Sequence, residues 1–188
     1  MTGDTALSDE EIARIAARID RPIVLVGLMG AGKSTVGRRV ANMLRCGFVD
    51  ADDSIEEAAQ LSIPEIFEQY GETYFRDGER RVIARLIENH AGVIATGGGA
   101  FVDPQTRALI IERAIAVWID CDIDTLVERT SRRNSRPLLR GGDPRTILTE
   151  LRDRREPMYN EAQVRIRSVN GPHADTARAI IEAVDQWL

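Results

Sequence analysis

Lysine is nearly absent from this chain: Lys33 is the only one, and every other basic residue is arginine. Cysteine is scarce as well. Cys46 and Cys121 stand far apart and form no C-x-x-C, which argues against a disulfide framework or a zinc site. The two histidines, His90 and His173, are equally isolated and are not read as ligands. No apolar run approaches the roughly 20 residues of a membrane-spanning helix, so no membrane partner is expected. The opening MTGDTALSDEE is too acidic for a signal peptide, and a reducing cytoplasm is the expected location. Positive charge is in deficit. The net charge of −5 argues against a surface that coats nucleic acid. Neither an internal repeat nor a low-complexity segment is found.

What is there fits one α/β domain of 188 residues, with enough chain for a sizeable core. SDEEIARIAARI reads as a short amphipathic helix. Ser8 and Glu11 have capping-box spacing, Leu7 and Ile12 suit a hydrophobic staple, and Ile12, Ile15 and Ile19 share a face. Apolar strands are predicted at IVLVG, CGFVDAD, GVIATGGG, AIAVWID and QVRIRSV, separated by helical sequence. The long helical stretch from about Asp53 to Asn89 is interrupted near Pro64 and Gly71. Strands alternating with helices imply a parallel sheet covered on both faces.

Gly27 to Ser34, GLMGAGKS, matches G-x-x-x-x-G-K-[ST] and lies between an apolar strand and an amphipathic helix. That context turns the motif into a phosphate loop, with backbone N–H groups and a helix N-terminus aimed at phosphate oxygens. Lys33 places a compact ammonium on the β- and γ-phosphates, where a planar guanidinium does not fit, and Ser34 offers its hydroxyl to Mg²⁺. No N-K-x-D is present, so a GTPase is not expected. Asp120, ending AVWID, reads either as a metal-side strand aspartate or as a cap of the next helix. The cap is preferred, because Asp50 and Asp52 form a better carboxylate pair. In FVDADDSIEE, strand alternation puts Asp50 and Asp52 on one side. Asp53 then points away, spaced with Glu56 as a helix cap.

GLMGAGKST, FVDADDSIE, IPEIFEQYGETYFRDGE, ATGGGA, RPLL and RREPMY, in this order and spacing, resemble shikimate kinase from about Arg21 to the C-terminal helix. The resemblance implies a P-loop kinase fold related to the nucleoside monophosphate kinases. Its five-stranded parallel sheet has order 2-3-1-4-5, with a lid and a substrate-binding segment. It implies a helical extension over residues 1–20 and a kinase domain over 21–188, acting as a monomer on ATP and shikimate with Mg²⁺. The implied nucleotide site comprises Gly30, Ala31, Gly32, Lys33, Ser34, Thr35, Arg129 against adenine and the lid arginine Arg136. The implied acceptor site comprises Asp52 on the shikimate hydroxyls, Arg76 and Arg155 on its carboxylate, and the backbone of Gly97, Gly98 and Gly99. Glu79 would orient Arg76, and Asp50 would meet Mg²⁺ through water. Arg154 is the obvious confounder for Arg155 in this arginine-dense stretch. Another small-molecule kinase of the same fold, such as one for gluconate, and a nucleotide-binding regulatory protein that has lost the chemistry are the competing readings.

Overall fold

The apolar runs that read as strands lie edge to edge in the computed structural model, which describes residues 7–89, 92–132, 141–168 and 170–188. They are β1 (Ile23–Val26), β2 (Gly47–Asp50), β3 (Gly92–Ala95), β4 (Ile115–Cys121) and β5 (Val164–Ser168). All pairings are parallel and the order is β2-β3-β1-β4-β5, the 2-3-1-4-5 arrangement implied by the resemblance. Every residue of β1 and β4 is buried, as central strands covered on both faces require. Edge strand β5 alternates instead, with Val164, Ile166 and Ser168 buried and Arg165 and Arg167 turned outward.

Eight helices flank the sheet among the described residues: α1 (Asp9–Arg18), α2 (Lys33–Leu44), α3 (Ala51–Ala59), α4 (Ile63–Asn89), α5 (Pro104–Arg113), α6 (Ile123–Ser131), α7 (Pro144–Tyr159) and α8 (His173–Trp187). None is long and apolar enough to cross a membrane. The capping box of α1 forms as read, with Ser8 Oγ accepting from Glu11 N–H at 3.3 Å and Glu11 Oε2 accepting from Ser8 N–H at 2.8 Å. Its apolar stripe then docks on α2 and α8. Ile12 and Ile15 join the main core, and Leu7 and Ile19 pack on its margin.

Two local expectations change and one holds. β2 stops at Asp50, whose Oδ1 accepts from the Asp52 N–H at 3.0 Å and so caps α3. Asp52 and Asp53 therefore sit in the first turn of a helix, and Asp53 is not the cap. The interruption expected near Pro64 falls just before it, between the end of α3 at Ala59 and the start of α4 at Ile63; Pro64 itself lies in the first turn of α4, where no N–H is needed, behind a second capping box between Ser62 and Glu65. Only Gly71 breaks the helix, at φ 81° and ψ 175°. Asp120 does not cap α6 either. Asp122 accepts from the Thr125 N–H at 2.8 Å, while Asp120 is buried inside β4 between two arginines.

A second, smaller core of Ile55, Ile66, Phe75 and Val82 holds α3 against α4. Phe67 and Phe75 pack there with ring centroids 4.5 Å apart. Because the first helix is seated in the main core, Ile15→Ala should destabilise the protein by about 2–4 kcal/mol, the cost of a buried isoleucine emptied to alanine. Urea denaturation of the two forms measures it.

Candidate active site

β1 ends in the loop Gly27 to Gly32, and α2 begins at Lys33. Gly27, Gly30 and Gly32 have φ values of 142°, 81° and 90°, backbone that L side chains resist, so the glycines are what lets the chain curl here. Lys33 is only 8 % exposed. Its Nζ donates to the carbonyls of Gly27 at 2.8 Å and Leu28 at 2.9 Å, holding the ammonium inside the curl. Ser34 Oγ donates to Asp50 Oδ2 at 2.5 Å. Both oxygens of Asp50 are thus engaged, one by the phosphate loop and one by the start of α3. Asp52 follows on that helix, half-buried. Burial, helped by the charge of Asp50 and opposed by Lys33, pushes its carboxyl up to about 6.

The glycine run after β3 is explained by space. A Cβ on Gly97 would lie 2.9 Å from Asp52 Oδ1, and one on Gly99 would lie 2.8 Å from Arg76 Cζ. Arg76 is in turn fixed by Glu79, which accepts its Nη1–H at 2.6 Å. Burial raises the Glu79 carboxyl and Arg76 opposes that shift. From the other side Arg155 Nη1 donates to the Gly98 carbonyl at 3.0 Å. Arg154 turns to solvent and pairs with Glu150, so the helical face separates the two neighbours.

These residues surround two adjoining hollows. One, of about 610 Å³, is lined by Gly30, Gly32, Lys33, Ser34, Thr35, Asp50, Asp52, Gly97, Gly98 and Arg129. The other, of about 430 Å³, is lined by Arg76, Gly99 and Arg155. The glycine run is the wall between them. Ala31 is buried behind the loop, and Arg129 Nη1 donates to its carbonyl at 3.2 Å. Arg136 lies outside the described residues.

A family model described as shikimate kinase matches residues 29–185. The chain belongs to the shikimate kinase family. A shikimate kinase from Novosphingobium aromaticivorans is 59% identical, with both chains covered over 100% of their length. Another, from Caulobacter vibrioides, is 55% identical over 88% of this chain and 83% of its own. Among solved structures, the shikimate kinase of Acinetobacter baumannii in complex with shikimate superposes with a TM-score of 0.83. It is 36% identical and covers 93% of this chain and 96% of its own. A gluconokinase from Sinorhizobium meliloti, at 16% identity and a TM-score of 0.55, shares only the fold.

Several residues around the site were not singled out by sequence reasoning. Tyr159 Oη donates to the same Gly98 carbonyl as Arg155, at 2.6 Å. The signal was available, since Tyr159 closes the RREPMY string. Arg107 donates to the carbonyls of Phe101 and Val102 at 3.1 and 3.0 Å, bracing the far end of the glycine loop. His173, set aside as isolated, opens α8 and lines the larger hollow with Asn170 and Glu128. Burial first, then the charges of Arg129 and Arg39, lowers its imidazole below the ordinary value.

The raised carboxyl of Asp52 carries a stability consequence. Its folded pKa of about 6 lies above the ordinary 3.8, so the folded protein holds the proton more tightly than the unfolded chain. Stability from this group is full below pH 3.8 and is lost as pH rises through about 6. Asp52→Asn should therefore stabilise the ligand-free protein at pH 8 by about 1–2 kcal/mol, a figure discounted for its residual solvent contact. The gain should shrink at pH 5, and denaturant melts at the two pH values measure the difference.

Proposed function

We propose that this protein transfers the γ-phosphoryl group of ATP to the 3-hydroxyl of shikimate, a step toward chorismate and the aromatic amino acids. One observation carries the reading. A buried phosphate-loop lysine and a carboxylate poised near neutrality lie on one side of a thin glycine wall, and two arginines lie on the other. A nucleotide and a small anionic acceptor would meet across Asp52.

Phosphoryl transfer asks the protein mainly for position and charge neutralisation. In this reading Lys33 and the N–H groups of Gly30 to Thr35 hold the phosphates, with Arg129 against adenine. Arg136 is assigned to the phosphates by the family resemblance alone. Arg76 and Arg155 clamp the shikimate carboxylate, each charge-assisted bond contributing about 1.5–3 kcal/mol. Asp52 orients the acceptor hydroxyl and accepts its proton. A carboxyl titrating close to the working pH is matched to that task. Ser34 and Asp50 offer two hard oxygens side by side, and Mg²⁺ favours one or two protein oxygens completed by phosphate and water. Bound there, Mg²⁺ would neutralise charge on the β- and γ-phosphates. Every residue given a role here belongs to one chain, which suits a monomer.

The deciding experiment is ADP release with shikimate, gluconate or no acceptor. Turnover that depends on shikimate is expected, and turnover indifferent to the acceptor would sink the reading. Lys33→Arg keeps the charge but replaces a point donor held by two carbonyls with a planar fork. It should lower turnover by roughly 100-fold or more while the protein stays folded, by analogy with losing one preorganised charge-stabilising donor. Gly99→Ala should push Arg76 aside and raise KM for shikimate several-fold with KM for ATP nearly unchanged, which two-substrate kinetics separates.

A further inference from the structure

Asp120 lines neither hollow, yet it is among the most heavily engaged side chains described. It is 3 % exposed, inside β4. Oδ1 accepts from Arg152 Nη2 at 3.0 Å, and Oδ2 accepts from Arg165 Nη2 at 2.7 Å and Nε at 3.2 Å. The two arginines come from different elements, α7 and β5. Arg165 also lies over the Trp118 ring, 4.3 Å from its centroid, and Trp118 stacks on Tyr159 at 5.6 Å. Buried ion pairs are weak contributors to net stability, because desolvation offsets much of their attraction. What such a cluster can supply is a fixed geometry.

The geometry it fixes is that of α7. Arg152, Arg155 and Tyr159 are spaced i, i+3, i+7 and form one stripe of that helix, facing inward while Asp153, Arg154 and Pro157 are exposed. The stripe is fastened at two levels. Asp120 holds Arg152, and the Gly98 carbonyl receives both Arg155 and Tyr159. Within the second level, between Arg155 and Tyr159, sits Pro157, which has no N–H to give to the Asp153 carbonyl four residues earlier. The helix's own ladder is therefore incomplete just where the acceptor-side arginine must be presented.

We propose that Asp120 is a positioning residue for the acceptor site: through Arg152 it sets the seat of α7 on the sheet, and so the place of Arg155 above the glycine loop. The inference rests on the reading of Arg155 as a shikimate-binding residue. It predicts an effect on one substrate only. A carboxylate that merely stabilises the core would lower the melting temperature and leave both KM values alone.

Two-substrate kinetics on Asp120→Asn, Arg155→Ala and the double variant test it, with melting temperatures measured alongside. Asp120→Asn should raise KM for shikimate roughly tenfold, with KM for ATP within about twofold, a coupling of ordinary size for residues in one network. In the Arg155→Ala background the same change should alter KM for shikimate by less than about twofold, because its target is gone. A folded Asp120→Asn enzyme with unchanged KM for shikimate overturns the inference, as does an equal effect in both backgrounds. Should Asp120→Asn fail to fold, Arg152→Met leaves Asp120 paired with Arg165 and is expected to show the same selective rise. An Arg155→Ala enzyme with unchanged KM for shikimate would instead overturn the assignment of Arg155 itself.

Discussion

The parallel pairing of β1 with β3 on one side and β4 on the other decides where every functional loop can start. With all five strands pointing one way, their carboxyl ends share an edge, and ligands of open α/β sheets gather outside it. β1 delivers the phosphate loop there, β2 delivers Asp50, and β3 delivers the glycine run. Thr96 secures the register at this edge, its hydroxyl donating to the Leu25 carbonyl at 2.8 Å. The two hollows follow from that common edge, since adjacent strands must place their loops about one strand spacing apart.

On this frame arginine and lysine have separate work. Arg107, Arg129 and Arg155 all donate to loop carbonyls, where a planar fork with several donors can brace backbone from the side. Arg76 is itself braced by Glu79. The ammonium is confined to the one place where the donor must fit inside a backbone curl, between the Gly27 and Leu28 carbonyls. The same division explains the glycine run. Gly97 and Gly99 leave room for Asp52 and Arg76, and side chains there would displace the groups that the site is made of.

Much of this was legible in the sequence because the signals were local. The phosphate loop, the alternation of strands and helices, the first capping box and the long helix broken at Gly71 all depend on nearby residues. The strand order required the family resemblance, since no spacing in one chain states which strands are neighbours. Asp52 and Asp53 are instructive. Asp52 does line the hollow with Asp50, and Asp53 is exposed, but the separation comes from helical geometry after an Asp50 cap rather than from strand alternation. Asp120 was misread because its partners lie 32 and 45 residues downstream on other elements. Tyr159 and Arg107 act on backbone carbonyls distant in sequence, a pairing that leaves no pattern in side-chain types.

The solitary lysine also makes this protein its own reporter. Apart from the chain's amino terminus, Lys33 Nζ is the sole aliphatic amine in the molecule, and it sits inside the phosphate loop. Lysine labelled with ¹⁵N at the side chain would give a single ammonium signal, assigned without mutagenesis. Amine-directed reagents would likewise find one side-chain target, so their reaction rate becomes a readout of how open the loop is.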